Sequence, residues 1–408
     1  MTENKNQKHI LVISQYFYPE QFRINDICCE WVKRGYKVTV LTGIPNYPQG
    51  KFYDGYGWIK KRKEVWNGIA IIRIPLIARG HTSLGMVLNY FSFPISGWWW
   101  NLMTRIKADI VFSFETSPMT QVKIGCKYAK KHQVPHFLYA QDLWPENVET
   151  VTGIHNRMII GPIEHMVDKI YRQTDKIFVT SPSFVEAVVN RENPVDRNKV
   201  IYWPQYAEDF YRPIEEKVKV PEIPEDDSLK IAFTGNIGMA QGLDILPKAA
   251  KLLKNDKVKF VIVGNGRYQD NFEQEIEKLH VRDKFILIPR QPAEKIPEIL
   301  STCDAGFISF QNDPLWNKTI PAKLQSYMAC GKAIIASASG ETKRIINEAR
   351  CGICCELGNV KELANTIDHL KREETIIWGN NSREYFSKHY EKQYLLDIMD
   401  MYIKEGKK

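Results

Sequence analysis

Apolar residues in this chain fall in short unbroken runs, separated by longer segments with a helical repeat. Ile10–Ser14 reads Ile-Leu-Val-Ile-Ser, which suits a strand buried on both faces. From about Phe22 to Arg34 the apolar positions recur at helical spacing, and Gly35 is placed to stop that helix. Val38–Thr42 starts a second strand. Further strands are expected at Ala70–Ile74, Ile110–Ser113, His136–Tyr139, Ile177–Thr180 and Val200–Trp203. Strands alternating with helix-length segments predict a parallel, doubly wound α/β sheet. Residues 213–227, PIEEKVKVPEIPEDD, are rich in proline and charge and read as a linker. The pattern then restarts with a strand at Lys230–Thr234 and a helix near Leu243. Strands follow at Val258–Val263, Phe285–Pro289, Gly306–Phe310 and Ala333–Ser337, and a last helix runs from about Ser382 to Lys408. The expected organisation is a domain over 1–212, a linker over 213–227, a second domain over 228–380, and a helix over 381–408 free to pack back on the first domain. Two such domains face a cleft, and open α/β sheets bind ligands beyond the carboxyl ends of their strands.

Composition narrows the class. The 408 residues are 44% hydrophobic and 25% charged, too long for one ordinary core and too apolar for a disordered chain. Mean hydropathy is −0.35, and no apolar run approaches the ~20 residues of a membrane-spanning helix. The net charge of +8 is mild for this size and far from that of a dedicated nucleic-acid binder. Its distribution matters more. Residues 51–107 hold nine bases against two acids, a net +7. Within them, Gly80–Thr104 has no Lys, Arg, Asp or Glu but contains Tyr90, Phe91, Phe93 and Trp98–Trp100. Pro94 is expected to break this segment, making it a poor spanning helix. Bases with tryptophans suit a lipid–water interface, and packing against the core is the competing reading. The first residues, MTENKNQKHI, lack a signal-peptide apolar region, and the eight cysteines are scattered, so a reduced cytoplasmic protein is expected. Cys351, Cys354 and Cys355 lack a nearby second ligand pair and read as a plain strand rather than a zinc site.

Several segments can carry chemistry. In Thr234–Leu243, TGNIGMAQGL, a strand ends, glycines allow close backbone approach, and a helix begins. This suits either a bound diphosphate or an ordinary turn. Val263-Gly-Asn-Gly266 reads as a structural turn. In the segment 317–332, NKTIPAKLQSYMACGK, Pro321 suits a first helical turn, Leu324, Tyr327 and Met328 share one face, and Gly331 ends the helix. Lys318 and Lys323 lie before and near its start, where cations oppose the helix dipole. Either an anion sits between them or they are simply solvated. In the first half, Tyr16–Arg23 and Gln141–Glu146 follow strands. Glu20, Asp142 and Glu146 can accept hydrogen bonds from sugar hydroxyls, or Asp142 can cap a helix. Glu341 likewise can contact a ligand or cap a helix. No catalytic triad, H-E-x-x-H, EF-hand or D-x-D metal motif stands out.

FYPE with Arg23, then VTVLTGIPNYPQG (38–50), QDLWPE (141–146), FTGNIGMAQGLD (233–244) and PAKLQSYMACGKAIIAS followed by GET resemble glycosyltransferase family four, in this order over nearly the whole chain. More narrowly they resemble bacterial capsule and O-antigen enzymes that transfer N-acetyl-L-fucosamine, and colanic-acid transferases. The resemblance implies the GT-B fold, with two Rossmann-like doubly wound domains, acceptor on the first and nucleotide-sugar on the second. It implies a retaining hexosyltransferase that needs neither metal nor cofactor. The donor expected is UDP-linked, and the acceptor a polyprenyl-diphosphate-linked saccharide. The phosphate turn matches at Gly235, Asn236 and Gly238. Where this chain has Asn236 and Gln241 the wider family has Arg and Lys, so the cations fall to Lys323, Lys318 and Arg290. The family's two glutamates, with seven residues between them, correspond to Lys318 and Ser326, leaving Glu341 to supply an acidic contact. Gln141 stands where many relatives have a histidine.

The resemblance thus implies Asp142 and Lys323 as catalytic. It places Gly235, Asn236, Gly238, Gln241, Arg290, Lys318, Lys323, Ser326 and Glu341 at the donor. Glu20, Arg23, Asp142 and Glu146 fall at the acceptor. A lipid-linked acceptor gives the 51–107 stretch a purpose: peripheral contact with the inner face of the cytoplasmic membrane, without nucleic acid. Two other readings stay open here. One is a UDP-sugar 2-epimerase on the same fold. The other is a non-enzymatic module for anionic polymers.

Overall fold

The computed structural model describes residues 7–80, 82–216 and 218–406. In chain order the first half forms β1 (His9–Ile13), α1 (Arg23–Lys33), β2 (Lys37–Thr42), β3 (Lys63–Trp66), β4 (Ile69–Arg73), α2 (Ser83–Met103), β5 (Ile110–Glu115), α3 (Val122–His132), β6 (His136–Ala140), α4 (Glu146–Thr152), α5 (Arg157–Gln173), β7 (Lys176–Val179), α6 (Pro182–Val189) and β8 (Val200–Tyr202). The second half forms β9 (Leu229–Thr234), α7 (Ile245–Leu252), β10 (Val258–Val263), α8 (Gln269–Lys278), β11 (Phe285–Ile288), α9 (Ile296–Ser301), β12 (Ala305–Ser309), α10 (Pro314–Lys318), α11 (Ala322–Ala329), β13 (Ala333–Ser337), α12 (Gly340–Ala349), β14 (Gly352–Cys355), α13 (Val360–Asp368), α14 (Arg372–His389) and α15 (Lys392–Glu405).

These elements divide into two compact units. One comprises Met1–Thr180, Phe184–Trp203 and Met399–Lys408; the other comprises Ser181–Ser183 and Pro204–Ile398. The first unit holds an eight-stranded sheet in the order β3-β4-β2-β1-β5-β6-β7-β8, parallel except for β3. Ile10 on β1 is flanked by Val38 and Ile110, and all five β1 residues are buried, as a strand covered on both faces requires. The antiparallel β3, Lys-Glu-Val-Trp, was not legible as a strand. It is an edge strand with alternating exposure and two charged residues. The end of α15 packs in this unit, where the Lys8 ammonium donates to the Ile403 and Lys404 carbonyls and Arg34 pairs with Asp400 at 2.9 Å.

The second unit holds a six-stranded parallel sheet in the order β11-β10-β9-β12-β13-β14. Alternate residues of β9 feed separate cores on its two faces, Ala232 on one and Ile231 with Phe233 on the other. The described residues of 213–227 form neither helix nor strand, and Ile223 among them buries into this core. The C-terminal segment departs from one continuous helix. It forms α14 and α15, with buried Tyr390 at the break and the Glu391 carboxylate accepting from the Tyr394 amide at 2.7 Å to start the second helix. Pro94 does not break α2, which runs unbroken for 21 residues. No helix among the described residues is long and apolar enough to cross a membrane.

Candidate functional site

The second unit's strand order fixes where a ligand crevice lies. From β9 the chain steps to β10 and β11 on one side, then crosses to β12 on the other. The carboxyl ends of β9 and β12 therefore flank a topological switch point. The Gly235–Gly242 turn occupies it and is tied down at both ends. The Thr234 amide donates to the Tyr327 hydroxyl at 2.8 Å, and the Ser309 hydroxyl donates to the Gln241 carbonyl at 2.6 Å. The 264–266 turn braces it from below through backbone contact. A Cβ on Gly264 would lie 1.8 Å from the Gly235 carbonyl oxygen, and one on Gly266 would lie 2.2 Å from that of Ile237. Only glycine permits that approach, so the lone G-x-G is a structural seat, as its sequence suggested.

The cations distribute unevenly around this turn. Lys323, one residue into α11, is half-buried and extends across the Phe233 ring, 3.6 Å from its centroid. Its ammonium donates to Gln241 Oε1 at 2.6 Å and lies 4.0 Å from where a Gly235 Cβ would stand. Burial alone lowers its pKa to about 7. Lys323, Gln241 and Gly235 thus form one cluster. Asn236 is exposed on the same turn, with its amide nitrogen 2.6 Å from the Cβ position of Gly238. Arg290 is exposed two residues beyond β11, with no hydrogen-bond or ion-pair partner among the described residues. Lys318 ends α10, and its carbonyl accepts from Ser181 Oγ at 2.5 Å. Ser326 is buried, its hydroxyl turned back to the Ala322 carbonyl at 3.2 Å. The Glu341 carboxylate is taken up by protein donors. It accepts from the Ser183 amide at 2.8 Å and hydroxyl at 2.6 Å, and it pairs with Arg344 at 2.8 Å.

The first unit has its own switch point between β1 and β5. Here the Gln15 amide donates to Gln121 Oε1, and the Gln15 side chain donates to Asn89 on α2, both at 2.7 Å. Glu20 is buried and accepts backbone amides from Asn46 at 2.8 Å, Tyr47 at 2.6 Å and Phe17 at 3.3 Å. It fastens the loop after β1 to the loop after β2, and burial raises its pKa to about 7. Tyr16, Phe22 and Tyr47 cluster there, with Tyr16 and Phe22 stacked at 5.3 Å. Arg23 opens α1, close enough to Tyr139 to offset part of the rise that burial imposes on that phenol's pKa.

Asp142 does not cap a helix. Its Oδ2 accepts from the Ser117 amide at 2.8 Å and hydroxyl at 2.7 Å, and the Asn147 side chain also hydrogen-bonds to the carboxylate. Beneath it lies Glu115, fully buried, with Oε2 facing the Asp142 amide at 3.4 Å and Oε1 unpartnered. Burial, reinforced by Asp142, holds the Glu115 carboxyl well above its usual range, and burial also raises that of Asp142. Glu146 opens α4, with Oε2 buried and unpartnered. The Tyr90 hydroxyl on α2 feels Arg79, Asp142, Glu115 and Tyr47. Asp142 and Glu115 therefore form one acidic cluster near Tyr90 of α2, while Glu20 acts as a brace between loops.

Comparison with known proteins decides the family. Residues 214–393 match the family described as Glycosyl transferases group 1, and residues 21–204 match the Glycosyl transferase 4-like domain. The chain belongs to the group 1 glycosyltransferases. It is 25% identical over 353 residues to a putative colanic acid biosynthesis glycosyl transferase, WcaI, of Escherichia coli, covering 82% of this chain and 84% of that one. It is 24% identical over 330 residues to the probable glycosyltransferase WbjE of Pseudomonas aeruginosa, covering 77% of each. Its fold matches a sucrose-phosphate synthase from Thermosynechococcus elongatus (TM-score 0.77, 14% identity, 98% and 99% of the two chains). It also matches Anabaena HepE in complex with UDP (TM-score 0.69, 13% identity, 98% and 100%). Both units of this glycosyltransferase are thus Rossmann-like domains of the GT-B fold.

Sequence reasoning missed three residues of this glycosyltransferase's first unit: Glu115, Ser117 and Tyr90. The signal for Glu115 was present, since an acid closing an apolar strand in a doubly wound sheet stands where ligands bind. Ser117 and Tyr90 carry no such signal, because only the tertiary fold brings them to Asp142. The second unit offers a glycine turn with a cation beside it, poised for an anion, and the first offers carboxyl acceptors for hydroxyl groups. Among the described residues no group of three or more His, Cys, Asp or Glu is placed to hold a metal. Cys354 and Cys355 lie on β14, as the plain-strand reading expected.

Proposed function

We propose that this protein is a retaining glycosyltransferase of bacterial surface polysaccharide synthesis, capsule or O-antigen. It moves an amino-deoxy sugar, N-acetyl-L-fucosamine, from UDP to a polyprenyl-diphosphate-linked saccharide. The observation that carries this reading is the half-buried Lys323 ammonium held against Gln241 beside the Gly235 turn. Relatives with Arg and Lys on the turn hold their cations there. Here Lys323 brings a cation to the turn from α11, and its burial without an acid partner among the described residues leaves it suited to a diphosphate. The names of the two curated relatives and the UDP in the HepE complex support the donor and pathway class.

In the proposed reaction the bond from the sugar's anomeric carbon to the β-phosphate oxygen breaks, and the acceptor oxygen bonds to that carbon on the same face. The acceptor hydroxyl's proton passes to the leaving phosphate. Lys323 and the turn amides stabilise the charge that develops on that phosphate, so neither a metal nor a cofactor is called on. Lys318 and Arg290 supply outer cations, and Asn236 with Gly238 shape the turn. Asp142 orients the acceptor hydroxyl, with Arg23 and Glu146 bordering the acceptor. Because that acceptor is lipid-linked, the protein works at the cytoplasmic face of the membrane, in contact through the 51–107 region. A panel of UDP- and GDP-sugars screened for protection against thermal unfolding tests the donor. UDP-N-acetyl-L-fucosamine should raise the melting temperature most, and protection by GDP-sugars alone would overturn the reading.

A further inference from the structure

The helix α2 is apolar on its outer side as well as its inner one. Asn89, Phe93, Gly97 and Asn101 face inward and are buried. Leu88, Phe91, Ile95, Trp98, Trp99 and Leu102 are all exposed, Ile95 to 59% and Trp99 to 58%. At helical spacing these six residues cover about 100° of the circumference, a continuous stripe with no charge in it. A stripe of this kind on a water-facing helix marks a contact surface.

What borders the stripe identifies the partner. Close packing brings α3 alongside: a Cβ on Gly97 would lie 2.3 Å from the Ile124 side chain. The α3 sequence carries Lys123, Lys127, Lys130 and Lys131 and no acid. Lys127 sits over the Trp98 ring at 4.6 Å, and Lys131 donates to the Asn101 carbonyl at 2.6 Å. Between the helices is a cavity of about 430 Å³, lined by Phe91, Ile95, Trp98, Trp99, Lys123 and Lys127 among others. At the far end of α2, Arg62, Lys63 and Arg105 border Trp100 and Met103. An uncharged aromatic ridge edged by bases is complementary to a layer with an apolar interior and anionic headgroups. Nucleic acid offers the anion but not the interior.

We propose that α2 lies in the plane of an anionic phospholipid surface, its outer stripe among the acyl chains, and that the α2–α3 cavity receives a lipid phosphate between Lys123 and Lys127. The inference rests on the lipid-linked acceptor only for its purpose, not for its geometry. Leu88 and Phe91 bracket Asn89 and Tyr90, which belong to the first unit's candidate acceptor site, so the stripe begins at that site. Docking would hold the site at the depth where a lipid-anchored diphosphate lies.

Co-sedimentation with phosphatidylcholine vesicles, with and without phosphatidylglycerol, tests this on the full chain. The wild type should bind the phosphatidylglycerol vesicles and not the neutral ones. A Phe91→Ser, Trp99→Ser variant should lose binding, and a Lys123→Glu, Lys127→Glu variant should bind roughly thirtyfold more weakly. Both pairs lie outside the donor site, so unchanged thermal protection by UDP-sugar shows that each variant is folded. Wild-type-like vesicle binding by either variant would overturn the proposal. So would retention on an anionic oligonucleotide that survives loss of the aromatic pair. Vesicle binding without any UDP-sugar protection would leave this inference standing and remove the donor reading instead.

Discussion

Replacing Lys323 with alanine removes the one ammonium among the described residues that touches the Gly235–Gln241 turn. A charge-assisted contact to phosphate is worth about 1.5–3 kcal/mol, which corresponds to a roughly 10- to 150-fold weaker Kd for the UDP-sugar. The fold should not suffer. The ammonium's protein partners are one amide oxygen and one aromatic face, and removing a poorly solvated cation relieves a cost of folding. The variant should therefore melt no lower than the wild type. The pH dependence sharpens the test. With a pKa near 7 in the free protein, Lys323 is about half neutral at pH 7. A bound diphosphate favours the ammonium, so binding should take up about half a proton at pH 7. Above pH 7 the wild-type Kd should rise, approaching roughly tenfold per pH unit. A UDP-sugar has no phosphate ionisation near neutrality, so the slope belongs to the protein. Isothermal titration calorimetry in buffers of different ionisation enthalpy reads both quantities. An unchanged Kd in Lys323→Ala, or wild-type binding without proton uptake, would refute the reasoning.

Three further outcomes follow from the same geometry. Gln241→Lys placed in the Lys323→Ala background should restore UDP-sugar affinity to within about tenfold of wild type, since the two side chains meet at one point; no recovery by calorimetry would separate their roles. Gly264→Ala should melt lower by several degrees and lose UDP-sugar protection, because its Cβ would fall 1.8 Å from the Gly235 carbonyl oxygen; wild-type melting would contradict that packing. Glu20 has a folded pKa raised to about 7, so the folded state binds the extra proton. Its contribution to stability is greatest below about pH 4.5 and is lost as pH rises through 7. Glu20→Gln should flatten the decline in chemical-denaturation stability between those values, and an identical slope in wild type and variant would remove Glu20 as its source.

The strands of both sheets were legible because buried parallel strands leave unbroken apolar runs that no other element imitates at that length. The edge strand β3 was not, since its Lys63 and Glu64 answer to solvent rather than to a core. The helical length of α2 was misread at Pro94, where the sequence shows a breaker but the packing of Phe93 and Gly97 keeps the helix whole. At the Gly235 turn, Gly235 and Lys323 could be named because the turn is local and α11 carries a clear start. That Gln241 rather than a carboxylate would meet Lys323 was invisible, as the two are 82 residues apart. Glu341 was placed at a ligand by its position after a strand, yet its oxygens go to Ser183 and Arg344, partners only the fold supplies. The choice between core and interface for the tryptophans resolves as both: Trp100 stacks with Tyr128 at 6.0 Å, while Trp98 and Trp99 face outward.

The central claim is transfer from a UDP-sugar, and product analysis with a radiolabelled sugar addresses it most directly. The full protein is incubated with labelled UDP-N-acetyl-L-fucosamine, with and without a polyprenyl-diphosphate-linked saccharide, and the label is followed into the lipid extract while free UDP is measured. UDP release and lipid-borne label should both depend on the acceptor and both fall sharply in Lys323→Ala. Conversion of the labelled UDP-sugar to an isomer without acceptor, or label that never leaves the nucleotide with any UDP-sugar tried, would contradict it.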